Sequence, residues 1–117
     1  MPSIRELVAA ISQREGVEAT IVLGRDGLVI DSAVPPEMDA DRLAAHIPSI
    51  LAGGDDLGAS AMRGPLTMAV IEHDGGIAVV CALSVEAVLL VVAKPDAHIA
   101  SLLYELRRNR DQMAALV

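Results

Sequence analysis

Residues 77–93 form an apolar run interrupted only by Ser84 and Glu86, and the layout of that run decides what the rest of the chain can be. Its length approaches that of a transmembrane helix, about 20 residues. Yet it is rich in Val, bounded by Gly75-Gly76 and Pro95, and carries its polar break at the middle, where Glu86 in a bilayer would cost on the order of 3 kcal/mol. The run therefore reads as two β-strands, 77–83 and 87–93, turned at 84–86. Neither strand alternates cleanly between apolar and polar residues, so both of its faces are apolar and both need cover. Helices on both sides of a sheet are required.

The rest of the chain supplies them. Ser3 with Glu6 makes a capping box, and Ile4, Leu7, Val8 and Ile11 share one helical face up to Gly16. Val17, Ala19, Ile21 and Leu23 then alternate with Glu18 and Thr20. The turn Gly24-Arg25-Asp26-Gly27 carries an Asp-Gly hairpin signal, and a second strand covers 28–34 before Pro35-Pro36 stops it. A second helix opens at Asp39, whose carboxylate can cap free amides, and runs through Leu43, Ile47, Ile50 and Leu51. Pro48 predicts a kink there, and Gly53-Gly54 before Asp55-Asp56 predicts a break with recapping ahead of 57–62. Gly64-Pro65 introduces a third strand at 66–72, turned by 73–76 into the apolar pair. Pro95-Asp96 starts a last helix with Ile99, Leu102, Leu103 and Leu106 in one stripe and Arg107, Arg108 and Arg110 toward its C-terminal end. The order is αββαβββα, an α+β fold in one domain, 1–117, with the first and last helices on one face of the sheet and the middle helix on the other.

Composition narrows what such a fold can bind. The 117 residues are 53% hydrophobic but 1% aromatic, with a lone Tyr104 and neither Phe nor Trp, which leaves no platform for stacking bases or caging cations. The net charge is -7, and residues 1–60 carry four basic against ten acidic side chains, so nucleic acid and acidic membranes are repelled. A protein partner or a small ligand remains. Met1-Pro2-Ser3-Ile4-Arg5-Glu6 lacks the basic and apolar regions of a secretory leader, and Cys81, the only cysteine, cannot form an internal disulfide; both point to the cytoplasm.

Chemistry is hard to place on this chain. Phosphate-loop, dinucleotide-binding and Gly-x-Ser-x-Gly patterns are absent from the sequence. His46, His73 and His98 lie too far apart in sequence for the close ligand spacing of a zinc site, and Cys81 sits within a buried strand where a thiol stays protonated. Asp39, Asp41, Asp55 and Asp56 fall at expected helix starts and read as caps. Arg63, beside Gly64, reads as an arginine meeting terminal carbonyls or solvent more readily than as a charge finger for a partner's phosphate. No cofactor, no metal and no catalytic residue is expected.

Two features point to association instead. The second helix keeps small residues off its apolar stripe, namely Ala40, Ala44, Ala45, Ala52, Ala59 and Ser60, through which another backbone can approach closely. The third strand, if it lies at the sheet edge, offers a free ladder beside Leu66, Met68 and Val70 and invites pairing with a copy of itself.

The segments GVEATIVLGRDGLVIDSA (16–33), LAAHIPSIL (43–51), GPLTMAVIEHDGGIAVVCAL (64–83) and LLVVAKPDAHIASLLYELRR (89–108) together resemble the roadblock / dynein light-chain-like family, over nearly the whole chain and most closely its bacterial gliding-motility, MglB-type members. The resemblance implies a roadblock-like (profilin-like) five-stranded antiparallel sheet and a homodimer joined edge to edge through the third strand. It also implies a non-catalytic regulator or adaptor that binds a Ras-like small GTPase through the second helix. The GTPase-interface candidates it singles out are Asp39, Arg42, Ala45, His46, Ser49, Ala52, Asp56 and Arg63; the dimer-interface candidates are Leu66, Met68, Val70 and Ile50. Pro48 and Gly53-Gly54 depart from the regular helix usual at that place in the family. The alternative is a structural dimer or scaffold subunit with no effect on GTP turnover.

Overall fold

In the computed structural model, which describes residues 3–117, the elements follow the order α1 (Ile4–Ser12), β1 (Val17–Gly24), β2 (Val29–Ala33), α2 (Ala40–Ala44), α3 (Ile47–Ser60), β3 (Met68–His73), β4 (Gly76–Ala82), β5 (Ala87–Ala93) and α4 (Ile99–Ala114). Met1 and Pro2, which open the segment read above for a leader, lie outside the described residues. Five antiparallel strands make one sheet in the order β2-β1-β5-β4-β3, the α+β arrangement expected. The apolar run is its centre. β4 and β5 form a hairpin in which Val79 faces Val91 and Cys81 faces Leu89, closed by Ser84, whose Oγ accepts the main-chain N–H groups of Glu86 and Ala87 at 3.1 Å each.

Successive residues of these strands enter opposite cores, which is why the sequence showed no alternation. Val79, Cys81, Leu89 and Val91, with Val22, pack beneath Val8 and Ile11 of α1 and Leu102, Leu106 and Met113 of α4. Val80, Val88 and Leu90, with Ile21 and Leu23, pack beneath Ala44 of α2 and Ile47 and Leu51 of α3. Each of these strand side chains is shielded from water on its own face of the sheet. The buried hydroxyl of Thr20 is satisfied by Ser12 Oγ at 3.0 Å, and among the described residues no buried side-chain N or O lacks a partner. No helix among them is long and apolar enough to cross a membrane.

Several boundaries differ from expectation. The middle helix is two helices: the chain breaks at residues 45–46, and Pro48 lies in the first turn of α3, where its missing N–H is unneeded and its fixed φ suits the helix. The tip of the β1–β2 turn abuts that junction, since a Cβ on Gly27, at φ +90°, would lie 3.3 Å from Pro48 Cγ. Gly53-Gly54 does not interrupt α3, so Asp55 and Asp56 stand inside the helix and cap nothing; Asp39 does cap, accepting the Asp41 and Arg42 N–H groups on Oδ1 at 3.0 and 3.3 Å. β3 begins at Met68 instead of residue 66, and β2 covers fewer residues than 28–34. The last helix starts at Ile99, after Pro95-Asp96, and continues past its arginines to Ala114. Arg110 is therefore short of the end, and its Nε donates to the Ala82 carbonyl at 2.6 Å.

Candidate interaction surface

The α2–α3 layer and the β3 edge form one continuous region of the surface. On α3, Ile47 and Leu51 point into the core, and Ser49, Ala52, Gly53, Asp56, Leu57 and Ser60 are exposed at three- and four-residue spacings on the outward face. Asp39, Arg42, Ala45 and His46 are exposed around α2 and the junction that follows it, and Arg63 is exposed beyond the end of α3. All eight residues singled out for a partner's contact are thus on the outside of the same layer. Residues 37–63 place five carboxylates (Glu37, Asp39, Asp41, Asp55, Asp56) against two arginines (Arg42, Arg63), so this layer is acidic.

α3 ends sharply. Met62 takes a left-handed conformation at φ 56°; its N–H donates to the Ala59 carbonyl at 3.2 Å and that of Arg63 to the Gly58 carbonyl at 2.7 Å, the paired bonds of a Schellman turn. The guanidinium of Arg63 adds a bond to the Met62 carbonyl at 3.4 Å. The returning chain passes so close to Gly58 that a Cβ there would collide with the Gly64 carbonyl oxygen.

The sheet has two edges, and they are built differently. β2 carries a bulge: Leu23 faces Val29 and Val22 faces Asp31, so Ile30 is an extra residue, and the acidic Asp31 sits beside it. β3 pairs with β4 without interruption from Met68 to His73, leaving its other side open. Met68 leans onto the α1–α4 core and Ala69 onto the α2–α3 core, whereas Val70 is 42% exposed. Leu66 precedes the strand and packs on α3: a Cβ on Gly54 would come within 2.8 Å of its Cδ2. Ile50 lies partly buried on α3 above this half of the sheet.

Between α2–α3 and the β3 side of the sheet is an apolar hollow of about 390 Å³, lined by Leu43, Ile47, Ile50, Ile71, Val80 and Leu90 among others, with His46 and His73 also on its wall. The fold thus places on the wall of one hollow two imidazoles that stand 27 positions apart in sequence, a placement no local pattern signals. Among the described residues no three His, Cys, Asp or Glu side chains are grouped so as to hold a metal. Cys81 is buried, and desolvation raises its thiol above the ordinary value although Arg110 acts the other way, so it stays protonated. His98 precedes α4 without a side-chain capping bond.

Sequence reasoning missed the role of Asp55. Its Oδ1 accepts the Leu66 N–H at 2.7 Å, and its Oδ2 lies 3.5 Å from Arg25 Nη1. Both partners are distant in the chain, and an Asp-Asp pair after Gly-Gly carries no signal of either.

A family model described as the Roadblock/LC7 domain matches residues 4–93. A solved Roadblock/LC7 domain from Streptomyces avermitilis is 24% identical, with 95% of this chain and 94% of that one covered and a TM-score of 0.83. The MglB protein of Myxococcus xanthus is 13% identical, with 98% and 97% covered and a TM-score of 0.85. An uncharacterised protein of Methanocaldococcus jannaschii is 24% identical over 113 residues, which cover 97% of this chain and 98% of that protein.

Proposed function

The chain belongs to the Roadblock/LC7 domain family, and on that premise we propose that it is a cytoplasmic, homodimeric regulator or adaptor of a Ras-like small GTPase, without catalytic residues of its own. Family membership and MglB-like shape support a regulatory role over a catalytic one. The dimer would pair β3 with β3 about a two-fold axis perpendicular to the sheet, with Met68, Val70, Leu66 and Ile50 at or near the seam. That operation extends the sheet and leaves both α2–α3 layers on the same side. The GTPase would lie across those layers, touching Asp39, Arg42, Ala45, His46, Ser49, Ala52, Asp56 and Arg63.

The observation that carries this reading is the conjunction of an unbulged, open β3 edge with an exposed face of small and acidic side chains on the α2–α3 layer, which shares a core with Ala69 of that strand. Small residues let a partner's main chain approach, and the carboxylates favour a partner whose facing surface is basic. Sedimentation of the purified chain tests the dimer. Gel filtration with the Ras-like GTPase of the same cell, together with its GTP hydrolysis and nucleotide exchange rates, tests the partner. Co-elution with an altered rate is expected; a monomeric chain, or no co-elution and unchanged rates, would refute the proposal. Co-elution with unchanged rates would assign the scaffold role instead.

A further inference from the structure

One carboxylate joins three separate parts of the fold. Asp55, midway along α3, accepts the Leu66 N–H at 2.7 Å, a short charge-assisted bond. Its other oxygen meets Arg25 Nη1 at 3.5 Å, with both side chains about a third exposed, at 35% and 29%. Arg25 in turn donates from Nε to the Ser84 carbonyl at 3.3 Å and from its main-chain N–H to the Glu86 carbonyl at 3.0 Å. The β1–β2 turn, the β4–β5 turn and α3 therefore converge on the start of β3.

Residues 61–65 are exposed and outside any strand or helix, so the chain needs an anchor before it can enter the sheet in register. Leu66 is that anchor. Its N–H is held by Asp55 and its side chain rests on Gly54, and the next carbonyl, of Thr67, accepts the Ala82 N–H at 2.9 Å. We propose that Asp55 is a positioning residue for self-association: it fixes where β3 begins and how its free edge is presented, so that the outer face of α3 and the pairing edge move as one body. This rests on the β3-paired dimer proposed above. By linkage, whatever tilts α3 then shifts the dimer equilibrium, and dimerisation shifts the affinity of whatever binds α3 by the same factor.

The test compares dimer dissociation constants, by analytical ultracentrifugation of the full chain, for wild type, Asp55→Ala, Asp55→Asn, Arg25→Ala and Asp56→Ala, with hydrogen exchange read at the Leu66 amide. Asp55→Ala should weaken the dimer about tenfold, the worth of one hydrogen bond to a charged group, and speed exchange at Leu66. Asp55→Asn keeps an oxygen acceptor and should restore most of the affinity together with the protection of the Leu66 amide, which ties the effect to that acceptor. Arg25→Ala should weaken the dimer by about threefold, as expected of a partly exposed ion pair. Asp56→Ala, next door on the exposed face, should leave the dimer constant unmoved. A dimeric wild type whose constant is unmoved by Asp55→Ala while Leu66 exchange accelerates would overturn the inference alone; a monomeric wild type would overturn the dimer and the inference with it. Should Asp55→Ala fail to fold, wild-type affinity in Arg25→Ala overturns it.

Discussion

Two glycines five residues apart on α3 should respond to the same substitution with opposite signs. Gly53 is exposed on the outward face, and a Cβ built on it meets no atom within 4 Å. Replacing it by Ala restores helix propensity and narrows the unfolded ensemble, a gain of about 0.8 kcal/mol. For a chain of this length that raises Tm by about 4 °C. Gly58 would gain the same propensity term, but its new Cβ would strike the carbonyl oxygen of Gly64. The returning loop would have to move, and with it the bonds from Arg63 N–H to Gly58 and from Met62 N–H to Ala59. Losing two bonds at about 1 kcal/mol each, plus about 1–2 kcal/mol of steric strain, outweighs the propensity gain and leaves a net loss of about 2–3 kcal/mol. Urea midpoints and thermal melts of Gly53→Ala and Gly58→Ala measure both. Equal shifts of the same sign would refute the close approach of the loop to Gly58, and with it the account of how α3 is ended.

Val70→Lys should leave the fold within about 0.5 kcal/mol of wild type, because lysine on a free edge is well tolerated, yet yield monomers by placing like charges across the seam; an unchanged sedimentation coefficient would contradict the β3 dimer. Burial keeps the Cys81 thiol protonated to higher pH in the folded chain than in the unfolded one, so stability is fully present below the unfolded chain's pKa and falls as pH rises beyond it. Cys81→Ala should flatten that alkaline loss in urea midpoints measured from pH 7 to 10.5, and an identical slope in both proteins would refute it. Asp39→Ala removes the acceptor for two N–H groups of α2 and should cost about 1 kcal/mol in urea unfolding; a loss below about 0.3 kcal/mol would mean that water caps the helix equally well.

The elements were legible where one local rule governs them. Two apolar strands flanking a polar turn could only be a hairpin with both faces covered, and the helix-period stripes of α1 and α4 supplied half of that cover. The β1–β2 turn announced itself through Asp26-Gly27, whose carboxylate accepts the Leu28 N–H at 3.0 Å. The middle helix was misread because two rules compete at Pro48. Proline can kink a helix or open one, and here it opens α3 beside the β1–β2 turn, 21 positions away, where a Cβ on Gly27 would lie 3.3 Å from Pro48 Cγ. Gly53-Gly54 looked like a break because glycine is a poor helix former; α3 persists because Ile47 and Leu51 are buried on one side of it. Of the candidate surface, the β3 edge and the exposed Ala45, Ala52, Ala59 and Ser60 were visible from patterning, whereas Ala44, expected among them, is buried in the core and Ala40 packs against it, because the short α2 turns that side to the sheet. The hollow with His46 and His73 and the anchoring by Asp55 were not, since both arise only when α3 is laid across the sheet.

The near absence of aromatic rings bears most directly on how such a protein can hold a partner. Pairing β3 with a second β3 would make about six main-chain hydrogen bonds over the span from Met68 to His73. At about 1 kcal/mol net each, these roughly offset the lower estimates of the rigid-body entropy lost on association and leave no surplus for a stable dimer. Aromatic anchors usually supply that surplus, and here there are none near the edge. The remaining source is aliphatic burial. The hollow beside β3, about 390 Å³ and lined by Ile50, Ile71, Val80 and Leu90, is an aliphatic reserve next to the seam. A second copy that covered it would remove that surface from water at about 25 cal/mol per Å². In the proposed dimer the open edge would thus set the register of association, while the helix above it, held by Asp55 to the residue that leads into the same strand, would set its strength.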